Sequence, residues 1–170
     1  LKQISFQPSL EDTLDIWDMQ LLQYGESIIK RRSQFIEEIG ETVTKVNENL
    51  TGNKEHLQML YEPDVTIDEF ANKLNNYRER DKKLFSTSVG PHRDDLCFMN
   101  KDIDIRKYGS QGQQRTCALS LKLAEIEIVK NMTGDSPVLL LDDVLSELDR
   151  NRQNYLLDSI HDIQTIITCT

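Results

Sequence analysis

Apolar residues in the first fifty positions recur at steps of three and four. Leu14, Trp17, Leu21, Tyr24 and Ile28 form one stripe, and Phe35, Ile39, Val43, Val46 and Leu50 carry it on, with Arg32 intruding between. That spacing predicts amphipathic helix with near-heptad character. Pro8-Ser9-Leu10-Glu11-Asp12 reads as its start, with Ser9 as N-cap, and Thr51-Gly52 as its stop. Gly25 and Gly40 are candidate bends or breaks. Leu57 to Tyr61 predicts a short strand closed by Pro63. Thr66-Ile67-Asp68-Glu69 has the pattern of a capping box and predicts a helix running to about Lys83. Arg78, Arg80, Lys82 and Lys83 then sit at the negative end of that helix, where cations are stabilised. That dipole effect explains the cluster without any appeal to nucleic acid.

From Ser86 the texture changes. Ser86 to Val89, Leu96 to Met99 and Ile103 to Ile105 predict short strands, the last two joined by a hairpin turn at Asn100-Lys101-Asp102. Gln111 to Met132 predicts a helix. Cys117, Leu121, Ala124 and Ile128 line one of its sides, and Leu119, Leu123 and Ile126 another, so it is buried on two sides. Val138 to Leu141 reads as a central strand, Asn151 to Ile160 as a helix, and Thr165 to Cys169 as a second central strand. Strand, helix, strand with apolar strands predicts a parallel sheet. The fold class is therefore α/β, with a mainly helical subdomain over 1–84 and the α/β portion over 85–170.

Composition narrows the picture. The chain has 170 residues and a formal charge of −9, which argues against a bulk electrostatic grip on nucleic acid while leaving room for a local basic face. Lys30-Arg31-Arg32 is one such run. Cys97, Cys117 and Cys169 lie far apart with no C-x-x-C pair, so they read as buried free thiols rather than a zinc or disulfide framework. No run approaches the roughly 20 apolar residues of a membrane span. The absence of an initiator Met and the apolar run at the end read as a piece of a longer protein.

Candidate chemistry lies in two places. Leu139-Leu140-Leu141 ends in Asp142 and Asp143, a strand that delivers two carboxylates to its tip. Neighbouring residues on a strand face opposite ways, so both acids serve one site only where the chain curves into a loop. There Asp142 can hold Mg²⁺, which prefers few carboxylates together with phosphate oxygens. Asp143 can orient or deprotonate water. Paired acids also simply end strands and cap the next element. The second place is Ser110-Gln111-Gly112-Gln113-Gln114-Arg115 at the start of a helix. A small-residue turn at a positive helix end meets phosphate without side-chain obstruction. The same residues also fit an ordinary Ser-x-x-Gln capping box. No Gly-x-x-x-x-Gly-Lys-Ser/Thr loop occurs in the sequence.

These motifs in this order resemble the ATP-binding-cassette superfamily. Leu139 to Asp143 is similar to its Walker B strand, and Ser146-Glu147-Leu148-Asp149 to its D-loop. Ser110 to Arg115 is similar to its signature loop, in the variant form of the RecF family of recombination mediators. Ser88-Val89-Gly90-Pro91-His92-Arg93-Asp94-Asp95-Leu96 resembles the same family. So do the Trp17 to Arg32 helix and the Tyr61-Glu62-Pro63 turn, which fit its helical arm.

The resemblance implies a partial ATPase domain whose phosphate-loop lobe lies outside these residues. It implies ATP and Mg²⁺ as cofactors, Asp142 as metal ligand and Asp143 as the catalytic acid or base. It implies that Ser110, Gln111, Gly112, Gln113 and Arg115 meet the nucleotide of a second subunit, with Ser146 and Asp149 crossing the interface of an ATP-dependent homodimer. It implies a cytoplasmic protein of DNA recombination, repair and replication-gap processing, tied to the SOS response. The expected partners are single-strand/double-strand DNA junctions and mediator proteins such as RecR, and the expected outcome is loading of RecA recombinase.

Two departures are visible. Asp143 stands where related ATPases commonly carry Glu, and Thr170 stands nearest the position of a final His. Both point to slow hydrolysis, suited to a switch. The isolated chain, lacking a phosphate cradle, is expected to be inactive. Competing readings are the nucleotide-binding subunit of a membrane transporter and a non-catalytic helical interaction module. His92 and Arg93 stay open between a ligand contact and a local ion pair.

Overall fold

A computed structural model describes residues 1–2, 6 and 8–168. A 3-10 turn at Pro8–Thr13 leads into helix α1 (Leu14–Thr51). Strand β1 (Leu57–Glu62) and helix α2 (Ile67–Leu84) follow. Then come β2 (Asp95–Asn100), β3 (Ile103–Asp104), the short α3 (Ile105–Tyr108) and the long α4 (Gln111–Thr133). The chain closes with β4 (Leu139–Asp142), α5 (Arg150–Ser159) and β5 (Thr165–Thr168). Strands β1, β2 and β3 form one sheet in that order, and β4 and β5 form a parallel pair. The mixed α/β class and the parallel strands agree with the sequence. Cys169 and Thr170 lie outside the described residues.

The chain separates into two compact units, each discontinuous in sequence. The first comprises Leu1–Phe35 and Tyr61–Leu96, the second Ile36–Leu60 and Cys97–Thr170. Helix α1 runs unbroken through Gly25 and Gly40. Gly25 is in fact a packing device of the first unit. A Cβ there would lie 2.4 Å from Phe70 Cε1, so the glycine lets α1 close on the aromatic ring of α2. Ile29, Val65, Phe70, Leu74 and Val89 make up this small core.

Three expectations fail in the first unit. Ser9 does not cap α1, because it lies within the 3-10 turn that precedes the helix. The apolar stripe of Trp17, Leu21, Tyr24 and Ile28 is exposed, and α1 buries Leu14, Gly25 and Ile29 instead. Ser86 to Val89 is not a strand. The buried Asp81 carboxylate takes both the Ser88 N–H (2.8 Å) and the Ser88 hydroxyl, which organises this stretch as a loop. Thr66 does occupy the N-cap of α2, but its side chain makes no cap hydrogen bond. Glu69 lies below its ordinary carboxylate value, chiefly through Lys73.

The second unit has the larger core. Val43, Val46 and Leu50 of α1 belong to one apolar cluster with Leu119, Leu123 and Ile126 of α4, Leu141 of β4 and Leu156 of α5. Helix α4 is buried on two sides, as its wide apolar arc requires. Its polar seam is also buried. Ser120 donates to Thr116 O (2.8 Å) and accepts from Asn47 Nδ2 (3.1 Å). The β2–β3 hairpin pairs Met99 with Asp104 and Asn100 with Ile103, so Lys101 and Asp102 form the turn, Lys101 with φ 54°. The third predicted strand ends a residue early, because Asp104 accepts from the N–H groups of Arg106 and Lys107 and starts α3. Strands β4 and β5 are not buried on both faces as predicted. Leu141 is buried, whereas Leu140 is 70% exposed, because the described sheet is covered on one face.

Candidate functional site

The glycine turn, the acid tip and the Ser146-to-Asp149 loop singled out by the sequence all fall in the second unit, at the ends of regular elements. Asp142 is the last residue of β4 and pairs in register with Thr168 of β5. The Thr168 hydroxyl donates to Asp142 Oδ1. The Asp143 N–H lies 3.2 Å from Thr168 O and 3.1 Å from its hydroxyl. Asp143 itself has φ 51°, a left-handed conformation that Asp tolerates better than bulkier residues. The chain thus turns where the strand ends, with Asp142 on the strand and Asp143 in the turn. Asp142 is exposed and Asp143 half-buried.

The loop beyond is fastened at three points. Ser146 Oγ donates to Asp143 O (2.9 Å). Gln153 Nε2 donates to Leu145 O (2.7 Å) and Leu148 O (3.1 Å). Asp149 is the N-cap of α5, accepting from the N–H groups of Asn151 (3.0 Å) and Arg152 (3.1 Å). Its other oxygen forms an ion pair with Arg152 at 3.3 Å.

The glycine turn starts α4. Ser110 Oγ accepts from Gln113 N–H (3.3 Å), and Gln113 Oε1 accepts from Ser110 N–H (3.0 Å), so the capping box closes in both directions. The Ser110 hydroxyl proton is not spent in that bond and can donate to an anion. Ser110, Gln111, Gly112 and Arg115 are exposed and Gln113 is half-buried. A Cβ on Gly112 would meet nothing nearer than 4.0 Å, where it would find Arg152 Nη1 and Ser110 Oγ. The local fold therefore does not demand glycine here.

The first unit holds its own motif differently. The Gly90-to-Asp94 segment forms a 3-10 turn at Pro91–Arg93. Asp94 accepts from Arg32 Nη1 (2.7 Å), the Tyr61 hydroxyl and the Asp64 N–H (3.1 Å). Asp64 in turn accepts from Gly90 N–H (3.1 Å). His92 Nε2 donates to Thr87 O (3.0 Å), and Arg93 donates to Ser88 O (3.3 Å). Both residues that the sequence left open thus bond to neighbouring backbone. Two apolar hollows of about 610 and 680 Å³ also lie in this unit, and none of the nucleotide-motif residues lines them. In the second unit a hollow of about 540 Å³ is lined in part by Asp149 and Arg152.

Comparison with known proteins decides the family. The chain is 58% identical over its whole length to the DNA replication and repair protein RecF of Lachnospira eligens, and 59% identical to that of Lachnoclostridium phytofermentans. Each match covers 47% of the relative's length. A RecF of Clostridium perfringens is 47% identical over 94% of the chain. The chain is a RecF-family sequence. It spans about half the length of the curated relatives it matches. No family model matches it. Two solved structures, of the recombination mediator proteins RecF-ATP and RecF-ATPrS in the RecFOR pathway, superpose with TM-scores of 0.81 and 0.83 at 38% identity. They cover 94% and 99% of the chain, and 45% and 48% of their own lengths match.

Within this RecF-like chain, sequence reasoning overlooked two residues. Thr168 reaches both acids of the tip, and the signal for it was the parallel register of two strands whose ends coincide. Arg152 pairs with Asp149, its Nη1 stands 4.0 Å from the place a Cβ on Gly112 would take, and its signal was the i, i+3 spacing from Asp149. Among the described residues no three His, Cys, Asp or Glu side chains cluster as a metal site, and no helix is long and apolar enough to cross a membrane. A cation held here would rest on Asp142 and on oxygens brought by a ligand, which suits Mg²⁺ travelling with a nucleotide.

Proposed function

We propose that this chain is the signature- and acid-bearing part of an ATP-dependent DNA-binding protein of recombinational repair and replication-gap processing. The observation that carries the reading is the exposed acid tip at the end of β4, in the same unit as an open glycine turn at a positive helix end. Likeness to RecF supports ATP as the ligand. On this reading Asp142 holds Mg²⁺ and Asp143 orients the attacking water. Ser110 Oγ and the Gly112 N–H, with Gln111, Gln113 and Arg115 beside them, meet the nucleotide of a second subunit. A glycine that the local fold does not require is accounted for by this close approach. Ser146 and Asp149 cross the interface of an ATP-dependent homodimer. The protein is cytoplasmic, engages single-strand/double-strand DNA junctions and mediator proteins such as RecR, and helps load RecA recombinase. The helical arm falls in 1–84 and the ATPase portion in 85–170. The chain alone does not turn over ATP, because a phosphate cradle is not among its residues.

Asp143→Asn in the full-length protein tests this. The amide cannot accept a proton from water, so ATP turnover should fall roughly a hundredfold while ATP binding persists and the dimer accumulates. Unchanged turnover would remove Asp143 from the chemistry and the reading with it.

A further inference from the structure

Arg152 stands where a cation gains least. It lies in the first turn of α5, and its Nη1 is 4.0 Å from the Cβ position at Gly112, in the first turn of α4. Both are positive helix ends, which stabilise anions and not guanidinium groups. Yet Arg152 is held in place through the 3.3 Å ion pair with Asp149, which is itself fixed by capping α5. Its neighbour Gln153 grips the carbonyls of Leu145 and Leu148 in the loop that descends from the acid tip. A set of contacts therefore runs from Asp143 through Ser146, the Gln153-clamped loop and Asp149 to Arg152, whose guanidinium stands beside the Gly112 turn.

We propose that Arg152 is a positioning residue that couples the two halves of the candidate site within one subunit. It fixes the distance between the Asp149 loop and the Gly112 turn. A movement of the turn on meeting a nucleotide is then passed to Asp149 and, along the clamped loop, to the acid tip. Without the guanidinium the turn and the loop respond separately. Arginine suits the task because its planar fork can hold a carboxylate and lie against a backbone turn at once, which a lysine ammonium cannot. This inference rests on the proposed ATP reading.

Contiguity alone does not establish coupling, so the test is a double-mutant cycle in the full-length protein. Arg152→Ala, Asp149→Ala, the double variant and Arg152→Lys are compared by kcat, KM for ATP, ATP-driven dimerisation and urea midpoint. Arg152→Ala should lower kcat roughly tenfold, a size within the range of contacting pairs, and leave KM for ATP within about twofold. The double variant should be no worse than the poorer single variant, and Arg152→Lys should show the same kcat loss as Arg152→Ala. Effects that multiply in the double variant, or an Arg152→Ala protein with normal kcat and dimerisation, overturn the proposal. If Arg152→Ala lowers the urea midpoint, Arg152→Lys decides. A stable lysine variant with the same kcat defect supports the coupling role, and a stable one with normal kcat overturns it. Asp143→Asn run in parallel separates the failures. If it is silent, the ATP reading falls and takes the inference along. If it is damaging while Arg152→Ala is silent, only the inference falls.

Discussion

The two units spend their charged residues in opposite ways. In the first, Asp94 is 3% exposed at its side chain and gathers Arg32, Tyr61 and the Asp64 backbone into one hub. Asp81, also buried, organises the Ser88 loop. The apolar core there is small, and polar bonds set the path of the Gly90-to-Asp94 turn. In the second unit the apolar cluster is large, and Asp142 stands exposed at the end of β4 with the Thr168 hydroxyl on its carboxylate. A charged motif that is fully engaged with its own backbone is architecture. A charged motif left open at an element's end is available for a ligand. On this criterion Asp94 builds the fold, whereas Asp142 and the Ser110 turn remain exposed.

The largest expected effect separates the two kinds of acid. Asp94→Ala leaves the Tyr61 hydroxyl and the Asp64 N–H without their acceptor and removes the partner of Arg32. Breaking such a network should cost about 2–4 kcal/mol in urea unfolding. Arg32 is 48% exposed, which keeps the figure below that of a fully buried pair. Asp142→Ala at the exposed tip should stay within about 1 kcal/mol, since it loses one exposed bond from Thr168. Equal costs at the two positions would dissolve the distinction between building acids and open ones.

The same distinction governs what could be read from the sequence. Caps and tips were legible because they depend on residues a few positions apart. The Ser110–Gln113 box and the Thr51-Gly52 stop both follow from short-range chemistry. The first unit was less legible because its organising contacts are long in sequence. Nothing local to Trp17 or Tyr24 says that α1 will turn Gly25 toward Phe70 and leave the larger apolar side chains outside. A count of apolar positions cannot register a glycine chosen for close approach. Likewise, Ser86 to Val89 has strand-like composition, and only the Asp81 carboxylate diverts it into a loop. The glycine turn and the acid tip were found as motifs, while their connection through Arg152 required the folded loop.

A smaller effect probes the hub by pH. Burial, and then the bond to Asp94, push the Tyr61 phenol up to about 12 from its ordinary 10. The folded state thus favours the neutral phenol. Its contribution is complete below about pH 10 and is lost as pH rises toward about 12. In an ultraviolet titration, one of the five tyrosines should ionise last, and Tyr61→Phe should remove that late step. If Tyr61 ionises with the others, the hub is looser than its hydrogen bonds imply, and the first unit loses its distinguishing feature.

The smallest effect on stability falls at Gly112. The position is helical, a Cβ would meet its nearest atoms at 4.0 Å, and glycine carries an entropy cost in a helix. Gly112→Ala should therefore leave the unfolding midpoint unchanged or raise stability by up to about 0.5–1 kcal/mol. Were the turn merely a helix start, nothing else would follow. If it meets a nucleotide across a subunit interface, the added methyl stands in the path of the approaching phosphate. ATP-dependent dimerisation of the full-length protein should then weaken even as the fold holds or gains. A stable Gly112→Ala protein that still dimerises normally on ATP would place this glycine with the building residues and return the turn to the role of a cap.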